Sequence, residues 1–405
     1  MKKSSSNISS GYKPSPLGPI PEDWEVKRLG EIAEIGSGGT PSKSHSEYWN
    51  GNIPWVTTSL LNNPYIENAE EYITEEGLNN SSAKMLNEGV LLMAMYGQGQ
   101  TRGKVSKLLI RASTNQACAY IDVQTGLVDY IHQTLIANYE SIRNESNDGN
   151  QKNLSLGIIS NIRISFPPLS EQHRIVDVLE LWDTAIAKQT ALIEQLTLRK
   201  RGLTQQLLTG KKRLKGFEGG NFHRLGNYIS ECNRRNAGCN RVLSVTNTRG
   251  FILQEEQFDK IVASNDTSNY KVVRRGEFAY NPSRVNVGSL AMLNDYDEGI
   301  LSPMYIVFKA NENIDKTYLL QCLQSWWFRG HIPAYTQGSV RDSLSFDGLC
   351  SMKFYIPTLQ EQKAISAILE QADKEIEIQK QKLAAMQEQK KGLMQVLLTG
   401  KKRIN

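Results

Sequence analysis

The sequence has no long apolar run. No hydrophobic stretch approaches the roughly 20 residues that a membrane-spanning helix needs. Residues 1–20 are rich in Ser, Lys and Pro and lack the apolar core of a signal peptide. We therefore expect a cytoplasmic protein with no membrane partner, in which residues 1–20 form a disordered tail.

Cysteine and histidine are also scarce. The 405 residues include 5 cysteines and 5 histidines, without a CxxC pair and without histidines at metal-ligand spacing. An odd number of cysteines does not suggest a disulfide framework, which agrees with a cytosolic location. We therefore expect no metal site.

Excess charge of one sign is small. The formal net charge is +5, which permits nucleic-acid binding but does not demonstrate it. A hydrophobic content of 39% and a charged content of 22% are those of an ordinary globular protein. A chain of 405 residues is long enough for two or more domains.

What the sequence does contain is a long duplication. Residues 167–213 and 357–403 align without a gap at an offset of 190, with roughly twenty of forty-seven positions identical. Both copies begin with Pro-x-Leu-x-Glu-Gln and end with Leu-Leu-Thr-Gly-Lys-Lys-Arg. A preceding proline, a capping box of Thr358 with Glu361, and Gly210 and Gly400 at the ends all predict helices. The terminal Lys-Lys-Arg runs suit the helix dipole, and a contact with phosphate is an alternative.

Apolar residues in each copy recur with the heptad spacing of a helix seam. Gln189, Gln379, Lys200 and Lys390 interrupt the seam at matched positions, where polar residues can fix register and partner number. An apolar stripe of this length must be buried against another part of the protein. The two helices can pair as a coiled coil, which we favour, or each can pack on its own domain. Either orientation is open, and antiparallel is favoured if the protein has a pseudo-twofold axis. The seam residues are Ile175, Leu179, Trp182, Ile186, Ile193, Leu196 and Leu203, then Ile365, Leu369, Ile376, Leu383, Met386 and Leu393.

A globular region of mixed composition precedes each helix. Short apolar runs at 90–94, 119–123 and 304–308 predict strands, whereas 128–139 and 316–328 have helical spacing. Matched loops at 149–154 and 338–344 each lead to a short strand ending at Phe166 or Ile356. The predicted fold class is α+β: two mixed α/β globular domains joined by two long antiparallel coiled-coil helices, with an internal pseudo-twofold repeat.

Signatures of catalysis are missing from the sequence. Residues 97–105 depart from a P-loop in spacing and in the final hydroxyl. Residues 281–284, Asn-Pro-Ser-Arg, lack the second proline and the aromatic ring of the clamp with which an amino-methyltransferase holds a flipped base. We therefore expect a binding protein, not an enzyme.

Several motifs together resemble one family. They are Gly-Thr-Pro-Ser at 39–42, Tyr-Trp-Asn-Gly at 48–51, Ile-Pro-Trp-Val-Thr at 53–57 and Ser-Thr-Asn-Gln-Ala at 113–117. With the duplicated helices, they resemble the specificity subunit of a type I restriction-modification system over nearly the whole chain beyond the tail. The second globular region lacks the Gly-Thr-Pro motif, which is expected if the two domains read different half-sites.

The resemblance implies a division of labour along the chain. Residues 21–165 and 218–354 would be two target-recognition domains, and 166–217 and 355–405 the central and C-terminal spacer helices. The implied partners are double-stranded DNA, two subunits that methylate adenine N6 with S-adenosylmethionine, and a nuclease-translocase subunit using ATP and Mg²⁺. This chain itself would hold no cofactor. The alternative is a helical protein-interaction scaffold that does not read DNA.

Candidate DNA contacts are polar residues in turn-rich loops, because base edges are read by Arg, Asn, Gln, Ser and Thr, and phosphates by Lys and Arg. Asn115 and Gln116 match the family motif, but they can equally hold a turn. In the first domain the candidates are Tyr96, Gln98, Gln100, Arg102, Lys104, Lys152 and Asn153. In the second they are Asn247, Arg249, Ser283, Arg284, Asn286, Ser339 and Arg341. The Trp326-Trp327-Phe328 run is expected to fill the core.

Overall fold

The computed structural model describes residues 10–97, 100–145, 153–257, 266–336 and 343–404. The chain divides into two compact units. Unit 1 is Met1–Gln189 together with Lys382–Asn405, and unit 2 is Thr190–Gln381. Each unit therefore contains one globular region and a part of each long helix.

Unit 1 is built around a five-stranded sheet of order β4-β11-β8-β9-β6. A smaller sheet has the order β10-β5-β7, and two further pairs are β1-β2 and β12-β3. The strands are β1 Tyr12–Lys13, β2 Ile20–Pro21, β3 Glu25–Arg28, β4 Ala33–Ser37, β5 Trp49–Val56, β6 Tyr65–Ile66, β7 Glu71–Ile73, β8 Leu91–Ala94, β9 Val105–Leu108, β10 Ser113–Thr114, β11 Cys118–Val123 and β12 Arg163–Phe166.

The apolar run predicted as a strand at 90–94 is β8, and its composition follows from burial on both faces. Successive side chains of a strand point to opposite sides. Leu91 and Met93 accordingly lie in one apolar cluster of unit 1, whereas Leu92 and Ala94 lie in another. A doubly covered strand is apolar throughout and shows no alternation. The strand predicted at 119–123 is β11, which runs antiparallel to β8.

Unit 2 repeats this core. Its four-stranded sheet has the order β14-β21-β18-β19, which matches β4-β11-β8-β9 of unit 1. The strand predicted at 304–308 is β21, but it starts two residues later, at Ile306. Three further pairs are β13-β22, β15-β16 and β17-β20. The strands are β13 Asn221–Arg224, β14 Ile229–Glu231, β15 Leu243–Thr246, β16 Gly250–Leu253, β17 Lys271–Arg274, β18 Phe278–Tyr280, β19 Leu290–Met292, β20 Glu298–Leu301, β21 Ile306–Ala310 and β22 Lys353–Ile356.

The short helices correct one expectation. A single helix over 316–328 was expected, but the structure has two, α8 over Lys316–Gln324 and α9 over Trp326–His331. The second helix begins here because the Ser325 hydroxyl caps it by accepting a hydrogen bond from Phe328 N at 3.1 Å. The helix expected over 128–139 likewise ends at Ala137 and is followed by another. The helices of the globular regions are α1 Leu29–Ile32, α2 Glu75–Asn79, α3 Val128–Ala137, α4 Tyr139–Asn144 and α5 Leu156–Asn161, then α7 Gln254–Gln257, α8 Lys316–Gln324, α9 Trp326–His331 and α10 Phe346–Ser351.

The two long helices are α6, Leu169–Leu208, and α11, Leu359–Leu397. Each is followed closely by a glycine in the left-handed region, with φ of +69° at Gly210 and +70° at Gly400. A residue with a side chain would be strained there, which is why glycine stands at these ends. The predicted helix ends are confirmed.

The predicted seam is the covered stripe of both helices. Each seam residue is buried or half-buried, whereas the residues between them are mostly exposed. The polar residues in the stripe are also covered, with Gln189 only 6% exposed. In unit 1, Ile175 and Leu179 of α6 share an apolar cluster with Met394 and Leu397 of α11. The start of α6 therefore packs both on its own globular region and beside the end of α11.

The lysines that interrupt the seam form ion pairs with the other helix. In unit 1, Lys390 Nζ lies 2.5 Å from Asp183 Oδ1, and its side chain is 13% exposed. In unit 2, Lys200 pairs with Asp373. The two pairs occupy equivalent positions of the repeat, since Lys390 and Asp373 each lie one repeat offset after Lys200 and Asp183. Such pairs permit one alignment of the helices and penalise others.

The Glu-Gln of each helix start is held by contacts distant in sequence. In unit 1, Glu171 is 2% exposed and accepts from Arg403 Nε at 2.9 Å, Arg403 Nη2 at 2.7 Å and Trp24 Nε1 at 2.9 Å. Arg403 also donates to both carboxylate oxygens of Asp23. Gln172 donates to the Pro167 carbonyl at 2.9 Å and accepts from a loop amide.

Unit 2 repeats the arrangement with Arg213 and Glu361, whose side chain is 1% exposed. Glu361 N donates to Thr358 Oγ1 at 3.4 Å, but the Glu361 carboxylate binds Arg213, so half of the predicted capping box forms. The dipole explanation of the Lys-Lys-Arg runs is thus incomplete for the arginines. Their guanidinium groups neutralise buried carboxylates.

His132 gives unit 1 a dependence on pH. It is 1% exposed on α3, and its ring lies edge-on to the Tyr65 ring, with the two ring centroids 5.5 Å apart. Burial lowers the pKa of His132 from 6.5 to about 4, although Asp129 nearby favours the charged form. Between these pH values the unfolded chain therefore binds more protons than the folded one.

We expect His132→Phe to remove this dependence. Acidification from pH 7 to pH 4.5 should destabilise wild-type unit 1 through this group by on the order of 2–3 kcal/mol. Phenylalanine keeps the contact with Tyr65 and cannot be protonated. Urea unfolding at a series of pH values measures the slope, with the exposed His173→Gln variant as control. Equal slopes for His132→Phe and wild type would contradict this role.

Candidate nucleic-acid interface

The polar loops singled out in the sequence are equivalent in the two units. Strands β8 and β9 are antiparallel neighbours, and so are β18 and β19. The loop between the strands of each pair, at 95–104 in unit 1 and 281–289 in unit 2, contains most of the candidate DNA contacts. We call these the hairpin loops. The repeat thus places matching loops at the same edge of matching sheets.

The matched loop before each long helix ends beside the hairpin loop. Leu154 N donates to the Met95 carbonyl at 3.0 Å in unit 1, and Leu344 N donates to the Pro282 carbonyl at 3.1 Å in unit 2. Asn153, next to Leu154, is half-buried. Of the remaining candidates in these loops, Lys152, Ser339 and Arg341 lie outside the described residues.

In unit 1 the hairpin-loop candidates differ in what they contact. Tyr96 is 42% exposed, and Gln100 is exposed as well. Arg102 Nη2 donates to the Arg143 carbonyl at 3.2 Å, and Lys104 Nζ donates to Asn62 Oδ1 at 2.8 Å. Gln98 lies outside the described residues. Arg102 and Lys104 therefore contribute to holding the loop.

In unit 2 four candidates line one cleft of about 950 Å³. They are Asn247, Arg249, Ser283 and Arg284, and all four are exposed. Asn286 is exposed on the same hairpin loop, and its Oδ1 accepts from Val287 N at 2.9 Å. Because Asn247 and Arg249 follow β15, the cleft combines residues from two separate hairpins.

The cleft also contains residues that sequence reasoning missed. Met304 is 60% exposed and Val287 58%, and both line it together with Tyr305. Apolar side chains of this kind can contact the methyl group of thymine. Exposed apolar residues in a turn give no periodic signal, so only the fold reveals that they share a surface with Asn247 and Arg284.

The side chains of Asn115 and Gln116, from the family motif, form hydrogen bonds with other residues of unit 1. Asn115 Oδ1 accepts from Ala117 N at 3.1 Å, which closes a turn. The Gln116 side chain is bound to Thr40 of the Gly-Thr-Pro motif, and Trp55 Nε1 donates to the Gly39 carbonyl at 3.0 Å. These motif residues hold one another in place. Of the two roles left open for Asn115, the structure favours the turn.

The aromatic run 326–328 is only partly in the core. Phe328 is 1% exposed, but Trp326 is 67% exposed and carries the Arg201 guanidinium 5.7 Å from its ring centre. The expectation that the whole run is buried was therefore wrong for Trp326, because the helix break at Ser325 turns it outward.

The described residues form neither a metal-binding cluster nor a membrane-spanning helix. Within them, no group of three or more His, Cys, Asp or Glu side chains is arranged to hold a metal ion. No helix in the described ranges combines the length and apolar character needed to cross a bilayer.

Comparison with curated proteins finds specificity subunits of type I restriction enzymes. The MjaVIII specificity subunit of Methanocaldococcus jannaschii is 24% identical over 418 residues, which cover 95% of this chain and 94% of that protein. The EcoR124I/EcoR124II specificity subunit of Escherichia coli is 30% identical over 183 residues, covering 44% of this chain and 45% of that protein.

Solved structures share the fold. A chain from work on complex assembly and conformational transition of the type I R-M system matches with a TM-score of 0.60 at 16% identity, covering 94% of this chain and 99% of that one. The S subunit of the type I restriction-modification system from M. genitalium matches with a TM-score of 0.54 at 13% identity, covering 93% and 96%.

The family model described as the type I restriction modification DNA specificity domain matches residues 21–198 and 254–388. It therefore covers the first globular region in full, the second from residue 254 onward, and most of both long helices. The sequence motifs, the repeated sheet and this match agree, and the chain belongs to the type I restriction-modification DNA specificity family.

Proposed function

We propose that this chain is the sequence-specific DNA-binding subunit of a type I restriction-modification complex, and that each globular domain reads one half of a bipartite target. One observation supports this above the others. Matching sheets present their polar hairpin loops beside the pre-helix loops. Unit 2 gathers the exposed side chains of Asn247, Arg249, Ser283 and Arg284 in one cleft, and unit 1 exposes Tyr96 and Gln100 on the equivalent loop. Such side chains read base edges. The different residues of the two loops fit an asymmetric target.

We further propose that α6 and α11 pair along their length as an antiparallel coiled coil that sets the spacing of the half-sites. In unit 1, Glu171 pairs with Arg403, and Asp183, later in α6, pairs with Lys390, earlier in the chain. Residues further along α6 therefore contact residues nearer the start of α11, which is the pattern of antiparallel helices. The contacts of unit 2 continue the same trend. At 1.5 Å per residue each helix is roughly 60 Å long, more than the 34–36 Å of one turn of B-DNA.

The partners and cofactors belong to the same proposal. Two methyltransferase subunits would dock on the helices and domain flanks and methylate adenine N6 with S-adenosylmethionine. A nuclease-translocase subunit would add ATP and Mg²⁺ to the complex, which would act in the cytoplasm. This chain would supply recognition and geometry, with residues 21–165 and 218–354 as its recognition domains.

Modified-base sequencing of DNA from cells that co-express this chain with its cognate methyltransferase subunit tests the proposal. We expect a split motif with methyladenine in both halves. Exchanging residues 21–165 for the same region of another family member should change one half and leave the other intact. If the methyltransferase subunit co-purifies with this chain but no DNA is methylated, the result favours the alternative of a protein-interaction scaffold and contradicts the DNA-reading role.

A further inference from the structure

The short helix α4 of unit 1, which follows β11 and α3 in the chain, is hydrogen-bonded to the hairpin loop. The Tyr139 hydroxyl of α4 donates to the Gln100 carbonyl at 2.5 Å. Arg143 Nη1, one turn further on, donates to the Tyr139 hydroxyl at 2.9 Å. Arg102 of the loop returns a hydrogen bond to the Arg143 carbonyl at 3.2 Å. Two of these three hydrogen bonds join helix and loop, and the third connects Tyr139 and Arg143 within the helix.

The opposite side of the same loop segment is also fixed. Lys104 Nζ donates to Asn62 Oδ1 at 2.8 Å, and Ser106 Oγ donates to the Asn63 carbonyl at 2.6 Å. Gly103 has φ of +84°, and a side chain there would meet the Arg143 backbone at 3.6 Å. The segment from Gln100 to Ser106 thus contacts α4 through its first residues and the turn at 62–63 through its last.

In unit 2 the hairpin loop also lies beside a short helix, where a left-handed glycine faces an arginine. Gly288, with φ of +98°, stands two residues before β19, as Gly103 stands two residues before β9. A side chain at Gly288 would come within 3.3 Å of Arg329 Nη2. Arg329 lies on α9, which occupies the position of α4 in the repeat. Both units therefore set an arginine of this short helix against the left-handed glycine of the hairpin loop.

We infer that Tyr139 and Arg143 in unit 1, and Arg329 in unit 2, are positioning residues that fix the hairpin loops for base reading. Arg102 then acts as an anchor of the loop and not as a reader of bases. This inference rests on the proposed function. A loop held in its reading conformation loses less freedom on binding, and it presents its side chains at one distance from the base edges.

The test uses the full chain in complex with its methyltransferase subunits. Methylation rates are measured on duplexes that carry single base changes in either half-site, for Tyr139→Phe, Arg143→Ala and Arg329→Ala. We expect the first two variants to lower discrimination about 3- to 10-fold in one half-site, and Arg329→Ala to do so only in the other. Glu140→Ala, an exposed change on the same helix, should match wild type in both.

A purely structural role would lower the melting temperature and slow methylation of every duplex equally, without changing discrimination. That result, or wild-type discrimination in folded variants, would overturn the inference. If Arg143→Ala fails to fold, Tyr139→Phe still tests the positioning role. This variant removes one hydroxyl and keeps the aromatic ring, so we expect it to fold. Absence of a bipartite motif with the wild-type complex would instead reject the proposed function, and this inference with it.

Discussion

Replacing Arg403 with alanine is expected to destabilise unit 1 by about 3 kcal/mol. Glu171 is 2% exposed, and of its hydrogen bonds from side chains in the described residues it would keep the one from Trp24. Removing one partner of a buried ion pair leaves an uncompensated charge, which costs about 3–5 kcal/mol. We expect the lower end because the Arg403 side chain is 39% exposed, so water can replace part of it. Hydrogen exchange read separately over residues of unit 1 and unit 2 measures the effect.

Two variants make the Arg403 experiment specific. Lys402→Ala changes the neighbouring exposed cation and should leave stability within about 0.5 kcal/mol of wild type. The double variant Arg403→Met with Glu171→Gln should recover part of the loss, because the neutral amide leaves no buried charge and its oxygen can still accept from Trp24 Nε1. Arg213→Ala should produce the equivalent loss in unit 2, where Glu361 is 1% exposed. Unchanged protection of unit 1 in Arg403→Ala would refute the role of this pair.

Replacing Arg284 with alanine should relax the sequence preference at one base pair by about 1–3 kcal/mol, or roughly 5- to 150-fold. Arg284 is exposed in the unit 2 cleft beside Asn247 and Ser283. A guanidinium that donates two parallel hydrogen bonds to guanine loses both in alanine, and lysine cannot restore their geometry. Competition binding of the assembled complex to duplexes with single changes measures the preference.

The conservative variant separates base reading from phosphate contact. If Arg284 reads a base, Arg284→Lys should keep the salt dependence of binding and lose the preference. If Arg284 contacts phosphate, Arg284→Lys should behave as wild type, and Arg284→Ala should weaken binding to all duplexes alike. Arg275→Ala removes the same charge outside the cleft, where Arg275 pairs with Asp297, and serves as control.

Features determined by local physics were predictable from the sequence. The seam of α6 and α11 follows from heptad spacing, and the helix ends follow from glycines that accept a left-handed conformation at Gly210 and Gly400. The strand β8 could be found because burial on both faces leaves only apolar residues. The break at Ser325 was missed because periodicity alone does not detect a capping serine inside an apolar run.

Contacts between distant residues were not predictable in this way. Arg403 and Glu171 are far apart in the chain. The helix dipole alone accounts for cations after a helix end, so nothing in the sequence indicated a carboxylate partner of Arg403. The unit 2 cleft joins loops from separate hairpins, so Met304 and Val287 became candidates only when the fold placed them beside Asn247. Arg102 was predicted from its polar, turn-rich setting, and nothing in the sequence indicated that its side chain binds the Arg143 carbonyl of α4.

The division of unit 1 into Met1–Gln189 and Lys382–Asn405 has a consequence during translation. The ribosome completes the first piece before it makes any of Thr190–Gln381, so the first globular region must wait for Met394, Leu397 and Arg403. At roughly 5–20 residues per second the delay is about 10–40 s. During this interval the apolar residues at the start of α6 lack their contacts with Met394 and Leu397, and the Glu171 carboxylate lacks the Arg403 guanidinium. The nascent chain is then most exposed to chaperones and proteases, although its first region was the earliest to be synthesised.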